Sequence, residues 1–275
     1  MINILVAGEG GQGVQSIAKI INTSVDESSK ESCYLPSFGV EQRGGVSLAF
    51  LRIDAKKILY PRFDKADIIA ALCSRSIDSI KDYIKDDTFL IYDGSIVENS
   101  VLDQIKPKVK KYINILANNI AIKKYSVKSA NMLMLGGVVA QLIDVNLSII
   151  ENNIKNEFKD KIAENPEIGT MNINAFHEGL NIAKSFDQSS EELVGKPAHE
   201  IKTEYKDDKK SWIRFPEYCK GCGLCLVRCP VQALHFSKEV GFLGNPLPEI
   251  DIDKCITCGQ CEQICPDGAI KVEKS

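Results

Sequence analysis

Eight of the ten cysteines in this 275-residue chain fall into two runs. The first is Cys219-Lys-Gly-Cys222-Gly-Leu-Cys225-Leu-Val-Arg-Cys229-Pro230, and the second is Cys255-Ile-Thr-Cys258-Gly-Gln-Cys261-Glu-Gln-Ile-Cys265-Pro266. Both read C-x2-C-x2-C-x3-C-P, with each cysteine 36 residues from its counterpart. Three thiolates at that spacing can wrap one face of an iron–sulfur cube while backbone amides point at its sulfides. The fourth, beside proline, points away and completes the other cube. The spacing therefore predicts two [4Fe-4S] clusters, one on Cys219, Cys222, Cys225 and Cys265, the other on Cys255, Cys258, Cys261 and Cys229. Zinc takes four ligands and has little use for a third evenly spaced cysteine followed by a proline-flanked fourth. Disulfides need an oxidising compartment, and nothing in the chain suggests export.

A second candidate lies near the N-terminus. Ile2 to Ala7 is a short apolar run that reads as a buried strand. Gly8-Glu9-Gly10-Gly11-Gln12-Gly13-Val14 follows, then Ile17, Ala18, Ile20 and Ile21 at helical spacing. Strand, glycine loop and helix together offer free backbone N–H groups to an anion. Gly8, Gly10 and Gly13 satisfy G-x-G-x-x-G, yet a nicotinamide site would want an acidic residue at the end of the second strand. Glu31 comes too early for that. A tight turn with no ligand, or a loop specialised by Gln12 for something other than a dinucleotide, are the competing readings. Downstream, Pro36-Ser37-Phe38-Gly39-Val40-Glu41-Gln42-Arg43-Gly44-Gly45 is too rich in glycine and charge to be core. Glu41 and Arg43 there either pair to cap a turn or face a partner or substrate. Val46 to Ile53 after it reads as a strand.

Composition narrows the function classes. The length suits one or two domains. Net charge is −3, and no Lys/Arg stripe carries interleaved aromatics, which argues against nucleic acid as a partner. The longest apolar run, Met132 to Ala140, falls short of the roughly 20 residues a membrane helix needs, and Met1-Ile-Asn-Ile-Leu-Val lacks the basic region and longer apolar stretch expected of a signal peptide. The reading is a cytoplasmic protein whose reducing surroundings leave thiolates free for metal. From Trp212 to Ser275 there are 7 Lys and Arg against 8 Asp and Glu. Two thiolate-ligated clusters make that end more acidic still, which suits a basic docking face on a partner. His177, His199 and His235 share no motif with a serine or a reactive cysteine, so a hydrolase triad lacks support. Cys33 and Cys73 stand alone and read as small buried hydrophobes.

The elements that must position these groups are legible in outline. Ile68 to Leu72 and Phe89 to Tyr92 are strand-like, and Ile77, Ile80 and Ile84 share one helical face. Ser129 is a candidate cap for a helix from Asn131 to Ile143 whose Met and Leu stripe reads as core. A second helix runs from Ser148 to Phe158. Alternating α and β elements predict an open α/β sheet, Rossmann-like in class. From Asp187 to Ser211 charge rises and hydrophobicity falls, as in a linker. The expected domains are thus 1–186, a linker 187–211, and 212–275, a small α+β module of the bacterial 2[4Fe-4S] ferredoxin kind. Trp212 and Phe215 open that module and are expected to pack in its core.

Several of these motifs resemble a known family. Gly8-x-Gly10-Gly-Gln-Gly13-Val14 and Ser37-Phe-Gly-Val-Glu41-Gln-Arg43-Gly-Gly45 resemble the γ subunits of 2-oxoacid:ferredoxin oxidoreductases. The similarity continues through Tyr60-Pro61, Lys65-Ala-Asp67-Ile-Ile-Ala-Ala71, Ile91-Tyr-Asp93-Gly-Ser95, Asn131-Met-Leu-Met-Leu-Gly136-Gly and Asn174-Ala-Phe-His-Glu-Gly179. The C-terminal module is similar to the δ, ferredoxin-type subunit, in wording closest to the 2-oxoglutarate type, so the chain looks like a γδ fusion. The resemblance implies a complex in which α and β subunits hold thiamine diphosphate (ThDP) and Mg2+ and CoA takes the acyl group. Electrons would then leave to soluble ferredoxin. It also implies that Gly8, Gly10, Gly11, Gln12, Gly13, Ser37, Glu41 and Arg43 lie at a subunit interface near substrate or CoA. No Gly-Asp-Gly followed by Asn-Asn occurs, so the family's ThDP signature is absent and the carbanion chemistry belongs to another subunit. An NAD(P)H-dependent iron–sulfur reductase is the alternative from another class, and a plain electron carrier or an indolepyruvate oxidoreductase component are nearer ones.

Overall fold

A computed structural model describes residues 1–26, 30–38, 45–143, 145–186, 202–216, 218–240 and 246–274. The chain forms two compact units, Met1–Pro197 and Ala198–Ser275. In the first, the elements in order are β1 (Ile2–Glu9), α1 (Val14–Asp26), β2 (Glu31–Phe38), β3 (Val46–Asp54), β4 (Ile68–Ala71) and α2 (Ser74–Ile80). Then come β5 (Phe89–Asp93), α3 (Asn99–Leu102), β6 (Lys111–Ile115), α4 (Ala117–Lys124), α5 (Ala130–Val139), α6 (Leu147–Glu157), α7 (Lys159–Glu164) and α8 (Glu167–Ser185).

The strands form one sheet in the order β2-β3-β1-β4-β5-β6. β1, β4, β5 and β6 are mutually parallel, while β3 runs antiparallel to both β1 and β2. The expected open α/β sheet is therefore mixed. The strand that follows α1 does not return beside β1 but lies at the far edge, across β3. Apolar residues on β1 and β4 alternate between two cores. Ile4, Val6, Ile68 and Ala70 join one; Leu5, Ala7, Ile69 and Ala71 join the other. A sheet covered on both faces has no solvent side, and its central strands are apolar without a break.

α5 and α8 cross so closely that only glycine fits. A Cβ on Gly179 would lie 2.0 Å from the Leu133 carbonyl oxygen, and one on Gly136 would lie 2.2 Å from that of Phe176. The glycines of the two helical motifs are thus explained by packing. α5 ends at Val139, short of the expected Ile143. Met132 to Val139 are buried on every side, whereas Ile143 is exposed where the chain leaves the core. Ser129 does occupy the N-cap position, but its hydroxyl donates to Asn172 Oδ1 at 3.0 Å and makes no cap bond. Cys73 is buried as expected; Cys33 is half-buried on edge strand β2.

Glu178 on α8 accepts from Lys124 Nζ at 2.5 Å and from Tyr125 Oη at 2.6 Å. Burial opposes its ionisation, but those two donors hold the carboxyl below the ordinary glutamate range. The folded state then binds fewer protons than the unfolded chain, so the stabilisation is present at neutral pH. It is lost as pH falls through the folded value. Glu178→Gln is expected to flatten this acid limb, by less than about 1 kcal/mol because the pair is partly solvated. Urea melts at pH 7 and pH 4 measure it, and parallel loss in both proteins would count against it.

The second unit contains β7 (Thr203–Lys206), β8 (Lys210–Arg214), α9 (Leu224–Arg228), β9 (Leu234–Val240), β10 (Pro246–Ile250), α10 (Gln260–Ile264) and β11 (Ile270–Lys274). β11-β8-β7 form one small sheet and β10-β9 another. β7 and the start of β8 fall within the stretch expected to be linker, of which 187–201 lies outside the described residues. Charged as it is, this segment pairs because Tyr205 packs edge-on against Trp212, ring centroids 5.6 Å apart. Among the described residues no helix is long and apolar enough to cross a membrane.

Candidate metal centre

Each cysteine run folds as a loop, a short helix and a turn, and the two copies match position for position. Gly221 and Thr257, Gly223 and Gly259, and Gln232 and Gly268 all have positive φ, between 50° and 77°. These three pairs share the 36-residue offset of the cysteines. α9 and α10, packed on each other, keep the same offset. Left-handed turns are what allow successive N–H groups to face inward on a sulfur-rich core. Thr257 and Gln232 carry side chains in this conformation, a modest strain at a site the loop geometry fixes.

Cys219, Cys222, Cys225 and Cys265 border one small cavity of about 20 Å3, lined also by Phe236, Pro248, Ile270 and Asp267. Three consecutive-run cysteines and the last cysteine of the other run therefore meet at one place. Cys255 and Cys258 lie near enough to Cys261 for their charges to raise its pKa, and Cys229 and Cys255 pack on the buried cluster that holds Cys261. Backbone N–H groups point at the sulfurs: Ala233 N donates to Cys229 Sγ at 3.3 Å, Ala269 N to Cys265 Sγ at 3.2 Å, and Thr257 N to Cys255 Sγ at 3.4 Å. The first two again differ by 36 positions.

The sulfurs differ in exposure. Cys225 and Cys261 are buried, whereas Cys258 is exposed beside exposed Ile256. Burial, then the neighbouring sulfur charges, pushes the Cys225 thiol up to about 12. Burial pushes Cys261 up to about 11, and Cys265 higher still. Buried thiols that resist ionisation, ringed by N–H donors, fit a group that brings its own positive iron and accepts hydrogen bonds at sulfur. Among the described residues, no three His, Cys, Asp or Glu side chains gather around a single-ion point. The four sulfurs border a cavity instead.

Around the first set stand charged groups that the cysteine spacing does not reveal. Lys220 Nζ pairs with buried Asp267 at 2.6 Å. Arg214 is fully buried, donates to the Pro248 carbonyl at 2.8 Å and pairs with Glu239. As expected, Trp212 and Phe215 are core residues.

At the other candidate site, the glycine loop closes on itself. Gln12 Oε1 accepts from Glu9 N at 2.8 Å, and Gln12 N donates to the Glu9 carbonyl at 3.1 Å. A Cβ on Gly8 would meet Gln12 Oε1 and Val14, both at 2.8 Å. Gly11 and Gly13 have φ of +102° and +78°, and Gly13 packs against Asn131 at the start of α5. Glu9, 1% exposed, pairs with Arg75 of α2 at 3.2 Å. The register sets Gly8 opposite Ser47 and Ser47 opposite Phe38, so Ser37 lies at the same edge as the loop. Glu41 and Arg43 lie outside the described residues. No carboxylate ends a parallel strand next to β1 in dinucleotide fashion, because the β4 strand there ends in Ala71. Asp93, at the end of β5, is fully buried and accepts from Ser95 N, Ala117 N, Asn118 N and Asn118 Nδ2 at 2.6–3.2 Å. Burial raises its pKa against those donors, and its role is to tie the β5 turn to the start of α4.

Comparison with known proteins fits both units. Residues 3–182 match the pyruvate ferredoxin/flavodoxin oxidoreductase family, and residues 218–269 match the 4Fe-4S dicluster domain. The chain is 29% identical over 190 residues to the pyruvate/ketoisovalerate oxidoreductases common subunit gamma of Pyrococcus furiosus, covering 68% of this chain and all of that one. It is 32% identical over 165 residues to pyruvate synthase subunit PorC of Methanocaldococcus jannaschii, covering 60% and 90%. Among solved structures, 2-oxoglutarate:ferredoxin oxidoreductase from Magnetococcus marinus, with 2-oxoglutarate, coenzyme A and succinyl-CoA bound, superposes with a TM-score of 0.59 at 26% identity. The match covers 71% of this chain and 33% of that one. A γ-type domain and a ferredoxin-type domain are joined here in one polypeptide, and the chain belongs to the pyruvate ferredoxin/flavodoxin oxidoreductase family as an electron-transferring subunit of a 2-oxoacid:ferredoxin oxidoreductase.

Proposed function

We propose that this chain is the γδ component of a complex that oxidatively decarboxylates a 2-oxoacid (2-oxoglutarate, pyruvate or a branched-chain acid). ThDP and Mg2+ would be held by partner α and β subunits, with CoA as acyl acceptor and soluble ferredoxin as electron acceptor. Residues 1–186 make the γ-type domain and 212–275 the ferredoxin-type domain, to whose sheet β7 (Thr203–Lys206) is added. The observation that carries the reading is the meeting of Cys219, Cys222, Cys225 and Cys265 at one cavity, on a chain whose other domain matches γ subunits. When bound, two [4Fe-4S] clusters supply one-electron storage and hand-over, the second held by Cys255, Cys258, Cys261 and Cys229. This chain's residues would do the rest: cysteine thiolates would hold the irons, backbone N–H groups would stabilise charge on sulfur, and Phe236 and Pro248 line the first site.

The loop of Gly8, Gly10, Gly11, Gln12 and Gly13, with Ser37, Glu41 and Arg43, faces the α/β body near substrate or CoA. The meeting of the first loop and Ser37 at one sheet edge supports this. Arg43→Ala in the intact complex is expected to lower turnover about tenfold or more by misplacing substrate, with bound ThDP unchanged. Full turnover would remove the loop from the reading.

The decisive assay uses the complex purified anaerobically from its native cells. Reduction of viologen by one 2-oxoacid, dependent on CoA, with a ThDP-binding partner in the preparation, is the expected result and names the substrate. A single chain whose clusters bleach only with NAD(P)H would overturn the proposal in favour of a reductase.

A further inference from the structure

Trp212 and Arg214 sit two residues apart on β8, hence on one face of it. Both side chains are fully buried. Trp212 Nε1 and Arg214 Nε are among the few buried side-chain nitrogens and oxygens of the described residues without a hydrogen-bond partner. A buried indole N–H left unpaired costs stability, and such groups are expected to meet an acceptor that completes the site. Trp212 packs in the same core cluster as Cys261, Cys225, Cys229 and Cys255. Its indole N–H reaches toward the Cys261 sulfur, although the geometry falls short of a full hydrogen bond. Arg214 lies near Cys219 of the other set. A metal-bound thiolate is a stronger acceptor than a thiol, and its charge grows when the cluster takes up an electron.

Resting on the two-cluster reading above, we propose that Trp212 donates its indole N–H to Cys261 Sγ of the second cluster and thereby raises that cluster's reduction potential. A donor to sulfur stabilises the reduced, more negative cluster more than the oxidised one. The residue 36 positions on, at the equivalent place in the other copy, is Pro248, which has no side-chain donor, so the effect falls on one cluster. Trp212 is a positioning and tuning residue, touching a ligand and not the irons.

The test starts from the reconstituted full chain. Iron and sulfide analysis showing fewer than two clusters would remove the cluster reading and this proposal with it. With two clusters present, Trp212→Phe keeps the ring and drops the N–H. One of the two EPR-monitored potentials should fall by about 59 mV, a tenfold shift in a one-electron equilibrium, while the other stays. Loss of packing alone would admit water near the cluster without that selective fall. Potentials that are both unchanged, or that move together, would overturn the proposal.

A second measurement needs no variant. The chain has a single tryptophan, so 15N-indole labelling marks one site. Pulsed EPR at one electron per molecule should find nitrogen coupling in one cluster signal only, the same signal that Trp212→Phe shifts. Its absence from both signals would overturn the proposal even if Trp212→Phe failed to fold.

Discussion

Cys229→Ala combined with Cys258→Ala is expected to leave one undamaged [4Fe-4S] cluster and about half of the iron. Cys229→Ala combined with Cys222→Ala should leave none undamaged. The two pairs separate crossed from sequential ligation. If Cys229 serves the cluster of Cys255, Cys258 and Cys261, the first pair strips one site to two cysteines and spares the other. The second pair takes one ligand from each site. Sequential ligation reverses both outcomes. The reason to expect crossing is structural, because Cys265 borders the same cavity as Cys219, Cys222 and Cys225. Anaerobic reconstitution followed by iron, sulfide and EPR analysis of the reduced proteins reads the result. An undamaged cluster surviving only in the Cys229→Ala, Cys222→Ala protein would refute the crossed assignment.

Gly179→Val should destabilise the first unit by about 3 kcal/mol, at the upper end for overpacking. The neighbour it would strike is the Leu133 carbonyl oxygen, 2.0 Å from the new Cβ. A backbone atom cannot rotate away as a side chain can, so α5 and α8 must separate and open the core around Phe176 and Leu135. For a unit of this size the melting temperature should drop by roughly 6–12 °C. Gly11→Ala provides the contrast. Nothing lies within 4 Å of its Cβ, and only its φ of +102° resists substitution, a cost of about 1 kcal/mol. Equal melts for the two proteins would mean that close helix crossing does not hold this unit together.

The cysteine pattern and most of the scaffold were legible in the sequence. Ligand spacing is a local property, since a short loop and one helical turn aim three thiolates inward whatever surrounds them, and proline turns the fourth away. Strands β1, β4 and β5 were legible for a related reason: burial on both faces leaves an unbroken apolar run. Helix spacing likewise marked α1, α2 and α6. Tertiary structure decided what depends on contacts distant in the chain. The sheet is mixed because β2 crosses beyond β3, which no local periodicity encodes. α5 stops at Val139 because burial ends there, and Ser129 turns its hydroxyl to Asn172 instead of its own helix. The glycines of the α5 and α8 motifs have meaning only once the two helices touch. Gln12, singled out as what could specialise the glycine loop, folds back so that its side-chain oxygen accepts from Glu9 N. The Lys220–Asp267 pair, 47 positions apart, and the unpaired indole of Trp212 beside Cys261, 49 positions on, come together only in the fold. Ligand spacing tells which atoms can hold a cluster; which side chains pack around them is decided by the fold.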